Sequence, residues 1–208
     1  MKKLITIIAI LVVSITSAQS QFEQGMGRAM QLWSENKNTE ASAMFERIAA
    51  ADKTSWLPNY YVAAVNTFAA FGTKNKDQMT AMLDKAQAAI DIEMIKDANN
   101  SEILVMQAMI YTAWISSDPM TNGMKLSGKV MELYAKAEAL DPKNPRAAFG
   151  KAEFAIGGAQ WTGANVKDLC KDVEKSIVLF DTFKPAMTFA PNWGKDSAAK
   201  QLENCKKL

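Results

Sequence analysis

The sequence predicts an all-α protein built from antiparallel helical hairpins. Apolar stretches at helical spacing alternate with short polar breaks, and runs that favour strands are scarce. All six prolines fall at or near the ends of the apolar stretches, where a missing N–H is tolerated. Within Tyr134–Phe154, one amphipathic run stops at Asp-Pro-Lys-Asn-Pro and another begins at once with the same spacing. With 49% hydrophobic residues, the 208-residue chain can bury a substantial core.

Nine helices are predicted, separated by breaks that have a physical cause. Gly72, Gly123 and the pair Gly157-Gly158 are expected to end helices, because glycine readily adopts the left-handed conformation that closes a helix. The stretch from Ser116 to Gly128 is expected to be a loop. The predicted helices cover residues 22–36, 38–51, 56–71, 76–95, 100–116, 122–140, 145–157, 165–182 and 194–206.

The spacing of residues within the helices indicates that the hairpin repeats. In the second helix of each pair, an apolar or small residue is followed four positions later by a large apolar residue. A smaller or apolar residue comes three positions after that, so that all three face the partner helix. The four triplets are Ala41-Phe45-Ile48, Met79-Leu83-Ala86, Val130-Tyr134-Ala137 and Leu169-Val173-Ser176.

Two stretches resemble a tetratricopeptide repeat (TPR). The third triplet with Pro142 resembles the second half of such a repeat, and LWSENKNTEASAMFERI resembles its turn and second helix. The family repeats every 34 residues and stacks its helix pairs into a superhelix. Here the central triplet residues, at 45, 83, 134 and 173, are 38, 51 and 39 positions apart. The resemblance implies a degenerate right-handed array of four helix pairs, and an irregular helical bundle is the alternative.

The C-terminal stretch FAPNWGKDSAAKQLENC resembles the closing helix of small exported TPR-like proteins of bacteria, including proteins found beside transport systems. An amphipathic helix there would cover the open end of the array, since a terminal repeat needs a polar outer face. The alternative is an ordinary C-terminal helix, which gives the same fold.

The first 18 residues have the three parts of a secretory signal peptide. Lys2 and Lys3 precede an apolar run, and Thr16-Ser17-Ala18 supplies small residues before a cut. Cleavage is expected after Ala18, which leaves residues 19–208 as one TPR-like domain in the periplasm or outside the cell. A membrane anchor is the alternative, but it needs about 20 apolar residues, and this run is shorter and interrupted by polar residues.

The two cysteines, Cys170 and Cys205, are expected to form a disulfide. An exported chain meets an oxidising compartment, in which a lone pair of cysteines tends to be joined. The bond would join the closing helix to the fourth helix pair. Two buried reduced thiols are the alternative.

The composition argues against catalysis and against a nucleic-acid partner. The chain has no histidine, which removes the usual general base, the Ser-His and Cys-His pairs and most zinc sites, so no catalytic residue, metal site or cofactor is expected. GGAQWTGAN has the glycine spacing of a phosphate-binding loop but lacks its lysine, and is expected to be a hairpin loop. Without Lys2 and Lys3, the 24 basic residues become 22, equal to the 22 acidic ones, so nothing favours nucleic acid.

A candidate binding groove follows from the resemblance, because the first helix of each pair lines the concave surface of a TPR array. On this chain that face is mostly apolar, which suits an apolar helix, an extended peptide or a lipid-like ligand, with Arg146 available for a carboxylate. Alternatively, a tightly wound array buries these side chains. The candidate groove residues are Met30, Trp33, Tyr61, Phe68, Met109, Arg146, Phe149 and Glu153.

The expected function is that of an exported, non-catalytic module which presents this groove to a protein or peptide partner. The alternative is a carrier of a small apolar ligand that works with a transport system. A closed pocket lined by methionine and aromatic residues would favour the carrier, whereas a wide groove filled with solvent would favour the scaffold.

Overall fold

The computed structural model describes residues 21–208, and those residues form nine α-helices and no strand. The predicted signal peptide, residues 1–18, lies outside the described residues. Helix α1 covers 21–34 in the described part of the chain. The others are α2 Asn38–Ala51, α3 Leu57–Gly72, α4 Lys76–Lys96, α5 Ser101–Ser117, α6 Pro119–Leu140, α7 Pro145–Thr162, α8 Val166–Thr182 and α9 Lys195–Cys205.

Two predicted breaks are wrong, and both involve glycine. Residues 119–121 lay in the expected loop and outside every predicted helix, whereas 122–128 fell in both the expected loop and the predicted helix 122–140. All of them form the first turns of α6, with Gly123 inside the helix. The pair Gly157-Gly158 also lies inside a helix, since α7 continues to Thr162 and ends at Gly163, whose φ of 71° is the left-handed conformation. GGAQWT is therefore helical, and only residues 163–165 join α7 to α8. Glycine weakens a helix by about 1 kcal/mol, which neighbouring residues can offset.

Asparagine side chains explain why a new helix can begin directly after a turn. Asn144 precedes α7, and its Oδ1 accepts hydrogen bonds from the backbone N–H groups of Arg146 and Ala147, at 2.9 and 3.3 Å. These two donors have no partner within the helix, so the side chain supplies one. Asn75, Asn100 and Asn165 cap α4, α5 and α8 in the same way.

The helices stack as antiparallel hairpins, which confirms the predicted TPR-like fold class. The described pairs are α3 with α4, α5 with α6, and α7 with α8, and α2 packs against α3. Helices α3, α5 and α7 lie side by side as an inner layer, and α9 packs on α8 at the end of the array. The predicted triplets face their partners, because their central residues, Phe45, Leu83, Tyr134 and Val173, are buried.

A close contact between α6 and α7 depends on Gly150. A Cβ added there would lie 2.6 Å from Cζ of Tyr134 and 2.8 Å from its hydroxyl oxygen. A methyl group would therefore force the aromatic ring or the helix to move. Gly157, on the same helix, has nothing within 4 Å of a corresponding Cβ.

We predict that Gly150→Ala lowers the free energy of unfolding by about 1–3 kcal/mol through overpacking. Gly157→Ala is the matched control, and should raise that free energy by about 0.5–1 kcal/mol because alanine favours the helix. Denaturant unfolding of both variants measures the difference. Equal effects of the two substitutions would contradict the proposed contact.

The cysteine pair joins the last two helices. Cys170 on α8 and Cys205 at the end of α9 form a disulfide, with their Cα atoms 5.8 Å apart, as predicted from the sequence. Around it, Val173 and Phe180 of α8 form a small core with Ala198 and Leu202 of α9. The short α9 therefore closes the array through both a covalent bond and apolar packing.

Replacing both cysteines with serine should lower the free energy of unfolding by about 3–4 kcal/mol, because the bond closes a loop of 35 positions in the unfolded chain. Thermal and denaturant unfolding of the oxidised protein and of the double variant give the measurement. A loss below about 1 kcal/mol would show that α9 holds its place without the bond.

Candidate ligand-binding site

A segment without regular secondary structure, which we call the strap, connects α8 to α9. It comprises residues 183–194 and contacts the inner helices α3 and α7. Pro185 and Pro191 lie within it, and each removes a backbone donor that a continuing helix would need. The chain therefore does not continue as a helix after α8, and it reaches α3 of the second helix pair.

Two tyrosines of α3 hold the strap. The hydroxyl of Tyr61 donates a hydrogen bond to the carbonyl oxygen of Phe189 at 2.7 Å, and Nε1 of Trp193 donates to the hydroxyl of Tyr60 at 2.9 Å. The Trp193 ring also meets Phe68 edge-on, with ring centroids 5.2 Å apart. Burial raises the pKa of both tyrosines, so both hydroxyls keep their protons at neutral pH.

Backbone strain accompanies these contacts. Phe189 has a φ of 62°, in the left-handed region that bulky side chains rarely adopt. Such a conformation costs roughly 1–3 kcal/mol and persists where surrounding contacts require it. The bond from Tyr61 to the carbonyl of the same residue is one of these contacts. The strap is therefore held in one defined position.

A cavity of about 510 Å³ lies between the strap and helices α1 and α3. Its volume is within the range of small-molecule sites, roughly 300–1,000 Å³. Among the described residues that line it, none carries a carboxylate or an amine, and the lining is mainly aromatic and thioether. The lining residues are Met30, Trp33, Tyr61, Pro185, Met187, Thr188, Phe189, Ala190, Asn192 and Trp193.

The helical wall of the cavity is made rigid by aromatic packing. Trp33 contacts Tyr61 edge-on and also lies against Phe68, with ring centroids 5.9 and 6.0 Å apart. Tyr61 stacks in turn on Phe45 at 5.2 Å, inside the core. Aromatic pairs at these distances add to the stability gained by burial. The wall is therefore pre-formed, and ligand binding would not have to assemble it.

A buried ion pair lies beneath the strap. Nη2 of Arg146 contacts Oε1 of Glu102 at 2.6 Å, and its Nε lies 3.0 and 2.9 Å from the two carboxylate oxygens. The guanidinium Cζ is 4.4 Å from the centre of the Phe183 ring and 5.9 Å from that of Trp193. Arg146, only 2% exposed, thus contacts both ends of the strap while joining α7 to α5.

The structure separates the eight candidate groove residues into three groups. Met30, Trp33 and Tyr61 line the cavity, while Phe68 and Arg146 lie under the strap. The other three lie elsewhere. Met109 packs against the core clusters, Phe149 is 3% exposed and packs on Phe180, and Glu153 is exposed on α7. The carboxylate paired with Arg146 is Glu102 of the same chain.

Seven of the ten residues that line the cavity were not predicted from the sequence, and all seven belong to the strap. Met187, Phe189 and Trp193 belong to the strap, which was not expected to line the groove. The available signal was the apolar and aromatic content between Pro185 and Pro191, in a stretch too short and too proline-rich to be a helix. A segment of that composition, outside the helices, needs an apolar surface to cover.

Within residues 21–208, no cluster of three or more histidine, cysteine, aspartate or glutamate side chains is arranged to hold a metal ion. Across the same residues, none of the helices combines the length and the apolar composition that crossing a bilayer requires.

The chain is similar to solved structures of other proteins. The chain is similar to the HusA haemophore from Porphyromonas gingivalis, with 25% sequence identity and a TM-score of 0.77. The match covers 89% of this chain and 93% of that one. It is also similar to a thermophilic TPR protein of Thermus thermophilus, with 10% identity and a TM-score of 0.49 over 90% of this chain and 100% of that one. No protein-family model and no curated protein matches.

Loss of Glu102 should be strongly destabilising. Glu102→Ala leaves the Arg146 guanidinium buried without its carboxylate, which typically costs about 3–5 kcal/mol. Glu138→Ala is the control, because its partner Lys151 and Glu138 itself are 39% and 40% exposed, so the loss there should stay within about 1 kcal/mol. Denaturant unfolding of both variants tests this, and comparable losses would contradict a structural role for the buried pair.

Proposed function

We propose that this chain is a non-catalytic carrier of a flat, apolar ligand of the tetrapyrrole class, bound between the strap and helices α1 and α3. The cavity there is the observation that supports this most. It is closed on one side by the strap and lined by methionine and aromatic side chains. These are the features that distinguish a carrier from a scaffold with an open groove.

The shape and chemistry of the lining suit a planar molecule. Trp33 and Tyr61 on one side and Phe189 and Trp193 on the other are flat side chains that can stack on or meet the edge of an extended ring. No charged side chain of residues 21–208 lines the cavity, so the part of the ligand that enters it gains from leaving water. Polarisable thioethers of Met30 and Met187 can adapt to an irregular outline.

The likeness to HusA supports the choice of ligand class. HusA is a haemophore, and its similarity to this chain extends over nearly the whole length of both. Export of the mature domain is part of the same proposal, because the N-terminal sequence resembles a signal peptide. The disulfide between Cys170 and Cys205 suits an oxidising compartment.

Contacts with the ring, more than with an iron ion, are expected to hold a tetrapyrrole here. The sequence has no histidine, the commonest protein ligand for haem iron. The hydroxyl of Tyr61 keeps its proton and donates a hydrogen bond to the carbonyl oxygen of Phe189. This leaves the thioethers of Met30 and Met187 as the remaining side-chain iron ligands among the described residues at the cavity. A metal-free ring should therefore bind with an affinity close to that of the iron form.

Protein or peptide binding stays a prediction. The observation that bears on it is a second groove of about 420 Å³, formed by α6, α7 and α8 on another part of the molecule. Apolar side chains such as Met131, Leu169 and Leu179 line it, with the charged Lys151 and Asp172 among them. Such a groove could accommodate an amphipathic helix.

The proposed function predicts saturable binding of haemin and of metal-free protoporphyrin IX, measured by absorbance and by quenching of tryptophan fluorescence. Trp33→Ala should weaken both by about tenfold or more, since a central aromatic contact contributes upwards of about 1.4 kcal/mol. Trp161→Ala is the matched control, because Trp161 is 72% exposed on α7 and lies outside the cavity. Its affinities should equal those of the unmodified protein.

A second variant tests the same cavity in case Trp33→Ala loses binding only because it fails to fold. Met187 is half exposed on the strap, so Met187→Glu should leave the melting temperature nearly unchanged while placing a charge in the cavity wall. It should weaken ring binding. Absence of saturable binding to the unmodified protein, or equal binding by all variants, would refute the proposed site.

A further inference from the structure

We infer that the cavity ends in a carboxylate-binding subsite formed by Nη1 of Arg146, the hydroxyl of Tyr60 and the indole N–H of Trp193. The inference rests on the proposed function, since it assigns the polar end of the same ligand. It narrows the ligand class to a flat, apolar molecule that carries at least one carboxylate.

Only one edge of the Arg146 guanidinium binds a carboxylate of the protein. Nε and Nη2 bind Glu102, while Nη1 is buried and has no hydrogen-bond partner among the described residues. A guanidinium presents its donors in a fixed planar fork, so its remaining edge can bind a second acid. Buried donors almost always have partners, and one that lacks a partner in a binding protein calls for an explanation.

The group that lies nearest to the face of this guanidinium is aromatic. The Phe183 ring is 4.4 Å from Cζ of Arg146, a distance typical of a cation–π contact. Such a contact stabilises the charge, but an N–H directed at a ring is weaker than one bound to a carboxylate oxygen. The donor thus remains available to an acid that reaches it.

Tyr60 supplies a second donor. Its oxygen accepts the hydrogen bond from Nε1 of Trp193, and within residues 21–208 the structure gives the hydroxyl proton no acceptor. Because burial raises the pKa of Tyr60, the hydroxyl retains this proton. A site with donors in excess of acceptors is complementary to an anion.

Trp193 connects these donors to the cavity. Its side chain lines the cavity, its N–H lies 2.9 Å from the Tyr60 oxygen, and its ring centre lies 5.9 Å from Cζ of Arg146. The indole therefore separates the apolar space from the two unused donors. Rotation of this one side chain, on a segment without regular structure, would bring a ligand carboxylate against Arg146 and Tyr60 and free the indole N–H to join them.

The charges around Arg146 permit one ligand carboxylate to bind there. Glu102 faces Arg146 and also accepts from Nδ2 of Asn144 at 2.8 Å, so its oxygens are occupied within the ion pair. A ligand carboxylate would meet the opposite side of the guanidinium. Two or three hydrogen bonds from such donors can keep a buried carboxylate ionised.

The test compares protoporphyrin IX with its dimethyl ester, which has the same ring and no ionised carboxylate. The unmodified protein should bind the diacid about tenfold or more tightly, the effect of one charge-assisted hydrogen bond. This preference should fall to near unity in Arg146→Met/Glu102→Gln, which removes both charges together and so leaves neither one unpaired in the interior.

Two further variants test whether the preference for the diacid comes from the subsite, and not from a folding defect or from the overall charge of the protein. Tyr60→Phe keeps the ring and removes the hydroxyl, and should reduce the ratio of diacid affinity to ester affinity several-fold, a ratio that corrects for any change in the strap that affects both ligands. Lys151→Met removes a cation that does not line the cavity, and should leave the preference intact. Melting temperatures identify any variant that fails to fold, in which case Tyr60→Phe decides.

Each outcome has a separate meaning. Equal affinities of the diacid and the ester for the unmodified protein would overturn the subsite and leave the proposed function standing. A preference that survives both Arg146→Met/Glu102→Gln and Tyr60→Phe would also overturn it, and would place the recognition of the acid elsewhere. If neither ring binds, the proposed function itself fails, and the subsite with it.

Discussion

A buried ion pair between Arg146 and Glu102 connects the third hairpin, the fourth hairpin and the strap that covers the candidate site. Through this pair the third and fourth hairpins are joined, and the aromatic ends of the strap rest on the same guanidinium. Removing two charges from water is costly, and their attraction repays the cost only with good geometry and additional hydrogen bonds. Asn144, which caps α7, supplies one such bond to Glu102. The turn before α7, the packing of the third hairpin on the fourth and the position of the strap therefore all depend on Arg146, Glu102 and Asn144.

The strap covers part of the concave face of the helical array and so encloses a cavity. Stacked helical hairpins leave a concave face that is open along its length. Here residues 183–194 contact the inner helices α3 and α7 and are held by Tyr60 and Tyr61, while the disulfide fixes the helix that follows. One wall of the cavity is thus rigid helix, and the other is a segment without regular structure. The helical wall is pre-formed, and on the other wall the backbone is held at Phe189 while the side chains of the strap can still rotate.

The features that could be predicted from the sequence are those that depend on residues close together along the chain. The helical periods and the four residue triplets are set by neighbours along the chain, and most helix limits fall close to those expected. The asparagine caps are also local, but they were not predicted. The disulfide followed from the count of two cysteines. Contacts of the strap could not be predicted, because Tyr61 meets Phe189 across 128 positions and Tyr60 meets Trp193 across 133. Gly123 does not end a helix, because Asp118 caps α6 ahead of it by accepting a hydrogen bond from the backbone N–H of Thr121, and one glycine only weakens a helix.

On the proposed function, the space under the strap binds one flat ligand per chain. Mass spectrometry under non-denaturing conditions tests it most directly, on protein incubated with metal-free protoporphyrin IX and separated from the excess by gel filtration. We expect a single added mass of one ring per chain, retained through the separation. A bare chain, or several rings bound without a defined number, would contradict it.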